Sequence, residues 1–383
     1  MKLKDLEKTL RKSVGNTTAA DSPIAKITDW YDTGSYAINR VLTGDIHKGI
    51  AKGCTTCIYG ESQSGKSLLA AQTAALALKE GKIDKIYLVD SESGSINIFE
   101  TLGVPLDKIE YIPVASIEEC SIAMLKLYTT FVQMHKEYEA DPANNDDIRA
   151  IVILDSYGGL TSDKIISDAV EKDKQVQDMG LGMKLKNNLM RGLMMRVVES
   201  QVSLIIINHT YDQVNAMFPS KIKPLPGGKG LEFACHAIMQ MSKLFVKAGS
   251  TDFFTGREND NTTDGMFYKG NRISAFAWKN RGVIPAFEAK MYIDFATGLS
   301  KYDGLIEDAV KYGYIQEVRG GYIVPSYSEK RVTYKELVDS DEIWNTFIEK
   351  FNAESIEKMK YSAPILDQIK AAEETIEEIK GVE

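Results

Sequence analysis

The chain has 383 residues, of which 44% are hydrophobic, 9% aromatic and 26% charged. That is enough apolar material for a sizeable core in two or three domains, and it excludes a disordered chain, a fibrous repeat or a disulfide scaffold. With 46 Lys+Arg against 54 Asp+Glu the net charge is −8, so any attraction for nucleic acid has to come from local basic patches.

Met1 to Gly15 is charged throughout and has no apolar h-region, so it is expected not to be a secretory signal. No apolar run reaches the roughly 18 residues that a membrane span needs. Leu3, Leu6, Leu10 and Val14 recur at helical spacing until the polar stretch Asn16 to Ser22. This predicts a short amphipathic helix, too small to bury its own stripe, that docks on its own domain or on a neighbour.

From Cys54 onward, short apolar runs alternate with helical patterns. CTTCIYG, KIYLVD (85–90), AIVILDS (150–156), VSLIIINH (202–209), AIMQMSKLF (237–245), SAFAWKN (274–280) and AKMYIDF (289–295) read as strands, and Lys66–Glu80 and Lys184–Ser200 as helices. Strands of near-continuous Val, Ile and Leu between helices predict an α/β domain around a mostly parallel, doubly covered sheet. The later strands lack intervening helices, which predicts an antiparallel extension at one edge. On the first strand Cys54 and Cys57 face opposite sides, so they read as ordinary cysteines of a reducing compartment rather than as half a zinc site.

Where that strand ends, Gly60, Glu61, Ser62, Gln63, Ser64, Gly65, Lys66 and Ser67 form a complete GxxxxGK[ST] pattern that opens a helix. Glycines let backbone N–H groups wrap a phosphate, Lys66 reaches the β and γ oxygens, and the Ser67 hydroxyl is placed for Mg²⁺. Such a site needs an acidic residue at a second strand end to hold the metal, and Asp155, closing AIVILDS, is the candidate. Asp90 and Glu92 follow IYLV, two apart, and either could orient an attacking water. VSLIIINH brings Asn208 and His209 to the same end of the sheet, where a polar side chain can sense a γ-phosphate.

Two segments are locally basic. Met179 to Val198 carries Lys184, Lys186, Arg191 and Arg196 with no acid, and Lys184 and Arg191, seven apart, share a helix face. Gln213 to Gly230 carries Lys221, Lys223 and Lys229, again without an acid, and its prolines and Gly227-Gly228 forbid a long helix or strand. A loop of about 18 residues inside a compact domain is usually functional. Val214, Met217 and Phe218 in this segment are exposed unless something covers them, and lysines for phosphates beside such apolar side chains match the chemistry of single-strand binding. After about residue 300 the chain is more charged and helical, and it closes on AAEETIEEIKGVE, which reads as a solvated acidic tail or as a mobile mask for a basic surface.

Taken in order, DTGSYAINRVLTGDI, GESQSGKS, VDSESG, VILDS, MGLGMK, IINHT, GGKGLEFA and WKNRG resemble the RecA family of recombinases, and within it the phage UvsX branch, over roughly Tyr31 to Tyr314. The resemblance implies a RecA-type P-loop ATPase core with a mostly parallel central sheet at 31–298, preceded by an N-terminal oligomerisation arm (1–30). A small C-terminal α/β domain with the acidic tail follows at 299–383. It further implies an ATP- and Mg²⁺-dependent helical filament on single-stranded DNA that pairs with homologous duplex DNA and exchanges strands in recombination, repair and recombination-dependent replication. Single-strand-binding and mediator proteins are its expected partners, and the cytoplasm, of an infected host if phage-encoded, its expected location.

By the same resemblance Glu92 is the catalytic glutamate, Asp155 the metal-associated acid, and His209 stands where the bacterial branch has Gln and the phage branch His. Gly158 to Met183 corresponds to the first DNA-binding loop, with Met179 next to DNA, and Lys184 and Arg191 contact the phosphate backbone. Gln213 to Gly228 corresponds to the second loop, with Val214 and Phe218 inserted between base triplets. Lys279 and Arg281 match the pair that reaches ATP on the neighbouring subunit. A RecA-fold helicase or translocating motor is the alternative, and a P-loop kinase or small-molecule transferase a third reading.

Overall fold

A chain in which buried β-branched runs alternate with helices has to cover both faces of a sheet, and among the described residues it does so around nine strands. The computed structural model describes residues 26–172, 179–210, 222–244, 270–285, 287–294 and 298–360. In chain order the elements are β1 (Trp30–Tyr31), α1 (Tyr36–Thr43), β2 (Ile50–Ala51), β3 (Thr55–Gly60), α2 (Lys66–Lys79), β4 (Lys85–Asp90) and α3 (Ile96–Thr101). There follow β5 (Ile109–Pro113), α4 (Ile117–Ala140), β6 (Ala150–Asp155), α5 (Asp163–Lys172), α6 (Met179–Ser200), β7 (Ser203–His209), α7 (Gly228–Ala234), β8 (Ala237–Lys243), β9 (Gly270–Asn280), β10 (Phe287–Asp294) and β11 (Gly298–Leu299). The C-terminal part adds α8 (Ile306–Lys311), β12 (Gln316–Val318), β13 (Gly321–Val324), β14 (Ser328–Val332), α9 (Tyr334–Asp339), α10 (Asp341–Asn345) and α11 (Ile348–Met359).

The large sheet has the order β11-β10-β9-β8-β3-β7-β6-β4-β5. From β8 to β5 the neighbours run parallel, and β9, β10 and β11 continue the sheet antiparallel. Side-chain alternation divides β3 between two cores: Ile58 joins the face covered by α1 and α2, while Cys57 and Tyr59 join the face covered by α4 and α6. All six β3 residues are buried, as a central parallel strand requires. The register sets Gly60 beside His209 and Asp90 beside Asp155, so four strand ends that carry candidate site residues converge on one edge of the sheet.

The C-terminal part packs into the same core as α1 and β10: Trp344, Phe347 and Phe351 share a cluster with Ile38 and Met291. Arg40, 2% exposed, binds there on three sides. Its Nε donates to Ser355 Oγ (2.7 Å), Nη1 to Asp308 Oδ2 (2.6 Å) and Nη2 to the Tyr312 hydroxyl (2.9 Å).

Three stretches differ from the sequence reading. β5 carries no apolar run because it is the edge strand, with Glu110, Tyr111 and Pro113 exposed. The helix expected from Lys184 begins at Met179, so Met179 stands in α6 rather than in a loop. Gly180 and Gly182 disguise this start, since glycine weakens a helix by about 1 kcal/mol, but Leu185, Leu189 and Leu193 continue at helical spacing onto the core. Gly228 to Gly230 open α7 instead of extending the loop before it. The N-terminal helix, Val214, Phe218, Lys221 and the acidic tail lie outside the described residues.

Candidate nucleotide site and its basic flank

β3 delivers the chain into the phosphate loop, and its geometry favours glycine at two points. A Cβ on Gly60 (φ +156°) would stand 1.8 Å from the Met241 carbonyl oxygen, so β8 presses directly on the loop's entry. A Cβ on Gly65 (φ +88°) would stand 2.1 Å from Ile293 Cδ1. This is a cradle that side chains would fill, the backbone form a phosphate needs. The loop borders a cleft of about 370 Å³ lined by Ser62, Gln63, Gly65, Lys66, Ser67, Glu92, Ile98, Thr101, His209 and Ile293. Of two neighbours on α3, Ile98 reaches this cleft while Phe99, 2% exposed, turns into the core.

Lys66 is buried at the start of α2, and its Nζ donates to the Glu61 carbonyl oxygen at 2.6 Å. Burial lowers its pKa, an effect opposed by the carboxylates of Asp155, Glu92 and Glu61. The Ser67 hydroxyl donates to Asp155 Oδ2 at 2.7 Å, and Ser95 donates to the same oxygen at 3.1 Å. Burial lifts the Asp155 carboxyl above its ordinary value against these two hydrogen bonds. A buried carboxylate beside a hydroxyl, with a lysine near, is a hard-oxygen donor set that suits Mg²⁺ beside a phosphate.

Glu92 stands opposite, on the turn after β4. Its Oε1 accepts from Ser156 Oγ (2.5 Å) and from His209 Nε2 (2.6 Å); among the described residues no hydrogen bond reaches Oε2. Burial works to raise the Glu92 pKa, but the bonds from Ser156 and His209 outweigh it and leave it below the ordinary value. Asp90 does a different job: its Oδ1 accepts from the Glu92 and Ser93 amides (2.9 and 3.1 Å) and so shapes the turn that carries Glu92. Ser95 and the Glu92 contact of Ser156 were not legible in the sequence, because each depends on which strand ends become neighbours.

On the flank, α6 exposes Lys184 and Arg191. The other two cations of that segment are committed elsewhere. Lys186 is buried and donates to the Gly158 carbonyl at 3.0 Å, and Arg196 donates to the Gly192 carbonyl at 2.6 Å. Asn208 Nδ2 donates to the Pro226 carbonyl at 2.7 Å, which ties the end of β7 to the chain entering α7. There Gly227 abuts the Tyr157 ring and Gly228 the Met183 sulfur. Lys223 reaches back to the phosphate loop, its Nζ 2.5 Å from Glu61 Oε1. Lys279 donates to the Glu232 carbonyl and, at 2.8 Å, to that of Cys235; Arg281 Nη2 donates to the Phe233 carbonyl at 2.6 Å. Both cations therefore sit on the C-terminal carbonyls of α7, and neither lines the cleft of its own chain.

Among the described residues no helix is long and apolar enough to cross a membrane. A family model described as the RecA N-terminal domain matches residues 1–299. The chain is 23% identical over 348 residues to the recombination and repair protein of Enterobacteria phage T4, covering 89% of this chain and 79% of that one. It is 26% identical over 301 residues to protein RecA of Aquifex aeolicus (78% and 74%) and 25% identical over 343 residues to protein RecA of Chlorobaculum tepidum (89% and 87%).

Proposed function

The chain belongs to the RecA family, and from that premise we propose that it is a DNA recombinase that hydrolyses ATP to ADP and phosphate when assembled as a helical filament on single-stranded DNA. It pairs that strand with homologous duplex DNA and exchanges the strands. The observation that carries the reading is the tie between the two chemistries. His209 bonds the candidate catalytic carboxylate Glu92, while its neighbour Asn208 holds the chain that leads into α7. A strand end shared by a nucleotide cleft and a basic, DNA-facing segment suits an ATPase that responds to DNA. The matched relatives, named for recombination or as RecA, lend no support to the helicase alternative.

In this reading Gly60 to Ser67 hold the triphosphate through backbone N–H groups, and Lys66 exchanges the Glu61 carbonyl for phosphate oxygens. Ser67 and Asp155 would hold Mg²⁺, which would supply charge neutralisation for the bound phosphates. Glu92, kept ionised by Ser156 and His209, orients the attacking water and accepts its proton on a carboxylate oxygen. Lys279 and Arg281 serve the nucleotide of the adjacent protomer, so hydrolysis and assembly depend on each other. Met179, Lys184, Arg191, Val214, Phe218, Lys221, Lys223 and the Gly227-Gly228 turn form the DNA-binding flank. Residues 1–30 act as the assembly arm, 31–298 as the ATPase and DNA-binding core, and 299–383 as a C-terminal domain with its acidic tail. The protein works in the cytoplasm, loaded by single-strand-binding and mediator proteins.

The deciding experiment measures ATP hydrolysis with and without single-stranded DNA at two salt concentrations. Strong stimulation that fades with salt is expected, because phosphate contacts release counterions. Hydrolysis indifferent to DNA would sink the reading while leaving the nucleotide site in place.

A further inference from the structure

Glu61 does more than occupy a variable position of the phosphate loop. Its Oε1 meets Lys223 Nζ at 2.5 Å, its Oε2 accepts from the Lys243 amide at 3.4 Å, and its carbonyl oxygen holds Lys66 Nζ at 2.6 Å. The Glu61 and Lys223 side chains are 22% and 26% exposed, so water screens the pair less than it screens a surface bridge.

The backbone of Lys223 is fixed independently of that bridge. Its amide donates to Gln240 Oε1 at 2.8 Å, and the Tyr59 hydroxyl, 3.1 Å from the Lys223 carbonyl, takes a hydrogen bond from Trp278 Nε1 at 2.8 Å. A rigid stem thus aims one lysine of a basic segment at the carboxylate of the loop that captures phosphate. Lys66, the cation that must meet the nucleotide, is meanwhile held by the same residue's carbonyl.

We propose that the Glu61–Lys223 ion pair is the positioning contact through which DNA occupancy reaches the phosphate loop. Without DNA, Lys223 clamps Glu61 and the Glu61 carbonyl retains Lys66. A phosphate of a bound strand offers Lys223 an equivalent anionic partner, so the ammonium changes partners without losing one. Among the described residues the Glu61 carboxylate then keeps the longer contact to the Lys243 amide, its carbonyl keeps that of the Ser64 amide at 3.4 Å, and Lys66 is released toward the nucleotide. Glu61 and Lys223 are positioning residues here: they act on hydrolysis through Lys66. The inference rests on the reading of the protein as a DNA-stimulated ATPase.

The test compares steady-state ATP turnover, with and without a short oligothymidylate, in the unaltered protein, Glu61→Gln, Lys223→Gln, the double variant, and the charge-exchanged Glu61→Lys/Lys223→Glu. Each single variant is expected to raise DNA-independent turnover about fivefold or more, the lower end of typical coupling between sites. A gain of this kind cannot come from misfolding. The double variant is expected to rise no further than either single one, since both remove the same contact. Charge exchange is expected to lower DNA-independent turnover again. Lys223→Gln alone leaves the Glu61 carboxylate unpaired near the phosphates and is expected to raise KM for ATP, an effect absent from Glu61→Gln. Should the unaltered protein be stimulated by DNA while the singles keep its low DNA-independent rate, or should their effects add, the coupling is overturned and the ATPase reading stands. If the unaltered protein ignores DNA, the ATPase reading itself falls and takes the coupling with it.

Discussion

His209 Nε2 lies 2.6 Å from Glu92 Oε1, a contact between residues 117 positions apart that joins the end of β7 to the turn after β4. Ser156 approaches the same oxygen from the end of β6. One carboxylate oxygen is therefore oriented from two further strand ends, and among the described residues no hydrogen bond reaches the other.

This arrangement makes the two residues separable by mutation. Glu92→Gln keeps the side chain's shape but removes the acceptor charge, and turnover is expected to fall by about 10²–10⁴-fold, the usual worth of a positioned base. His209→Ala removes one of two holders, a hydrogen bond to a charged group worth about 1.5–3 kcal/mol, so a loss of roughly 10- to 100-fold is expected. Phosphate release in the presence of single-stranded DNA, alongside binding of a fluorescent ATP analogue, checks both. A larger loss in His209→Ala than in Glu92→Gln would contradict the assignment.

The phosphate loop's glycines should differ in tolerance. At Gly65 the obstacle to a Cβ is the tip of Ile293, which can move, so Gly65→Ala is expected to cost about 1–3 kcal/mol for its left-handed backbone. At Gly60 the obstacle is the Met241 carbonyl, part of β8 itself. Gly60→Ala is therefore expected to cost more than Gly65→Ala in urea denaturation, and an equal cost would refute the contact.

Arg40 is held by Ser355, Asp308 and Tyr312 and is almost wholly buried. Arg40→Ala leaves the Asp308 carboxylate without its partner and is expected to destabilise the fold by about 3–5 kcal/mol. Arg40→Lys should recover only part of this, since a compact ammonium, despite its three donors, cannot span partners placed on Nε, Nη1 and Nη2 of the wider guanidinium fork. Guanidinium unfolding of the three proteins measures it, and a loss below 1 kcal/mol in Arg40→Ala would count against the contact.

His236 carries a pH prediction. Burial, with the charges of Arg281 and Lys279, lowers its pKa from 6.5 to about 4. The unfolded chain takes up the proton near 6.5 and the folded chain only near 4, so the contribution is fully present above 6.5 and is lost as the pH falls through that window. The loss is of the order of 3 kcal/mol. His236→Asn cannot take up that proton, so its melting temperature is expected to fall less between those pH values than that of the unaltered protein. Parallel curves for the two proteins would exclude a titrating His236.

Local patterns in the sequence determined the strand and helix alternation, the phosphate loop from Gly60 to Ser67 and the basic runs after Met179, because each is written in consecutive residues or in a fixed helical spacing. The edge strand Ile109–Pro113 left no such mark, since an edge strand buries too little to need an apolar run. The start of α6 was hidden by two glycines that tertiary packing overrides. What only the tertiary structure decided is pairing across strand ends. Asp155 meets Ser67, Glu92 meets Ser156 and His209, and Lys223 meets Glu61, because the sheet order β8-β3-β7-β6-β4 sets these strand ends side by side. Lys184 and Lys186 read alike in the sequence, yet one is exposed and the other is buried against Gly158. Two residues along a helix turn a side chain to the opposite face, and only the neighbouring elements settle which face meets water.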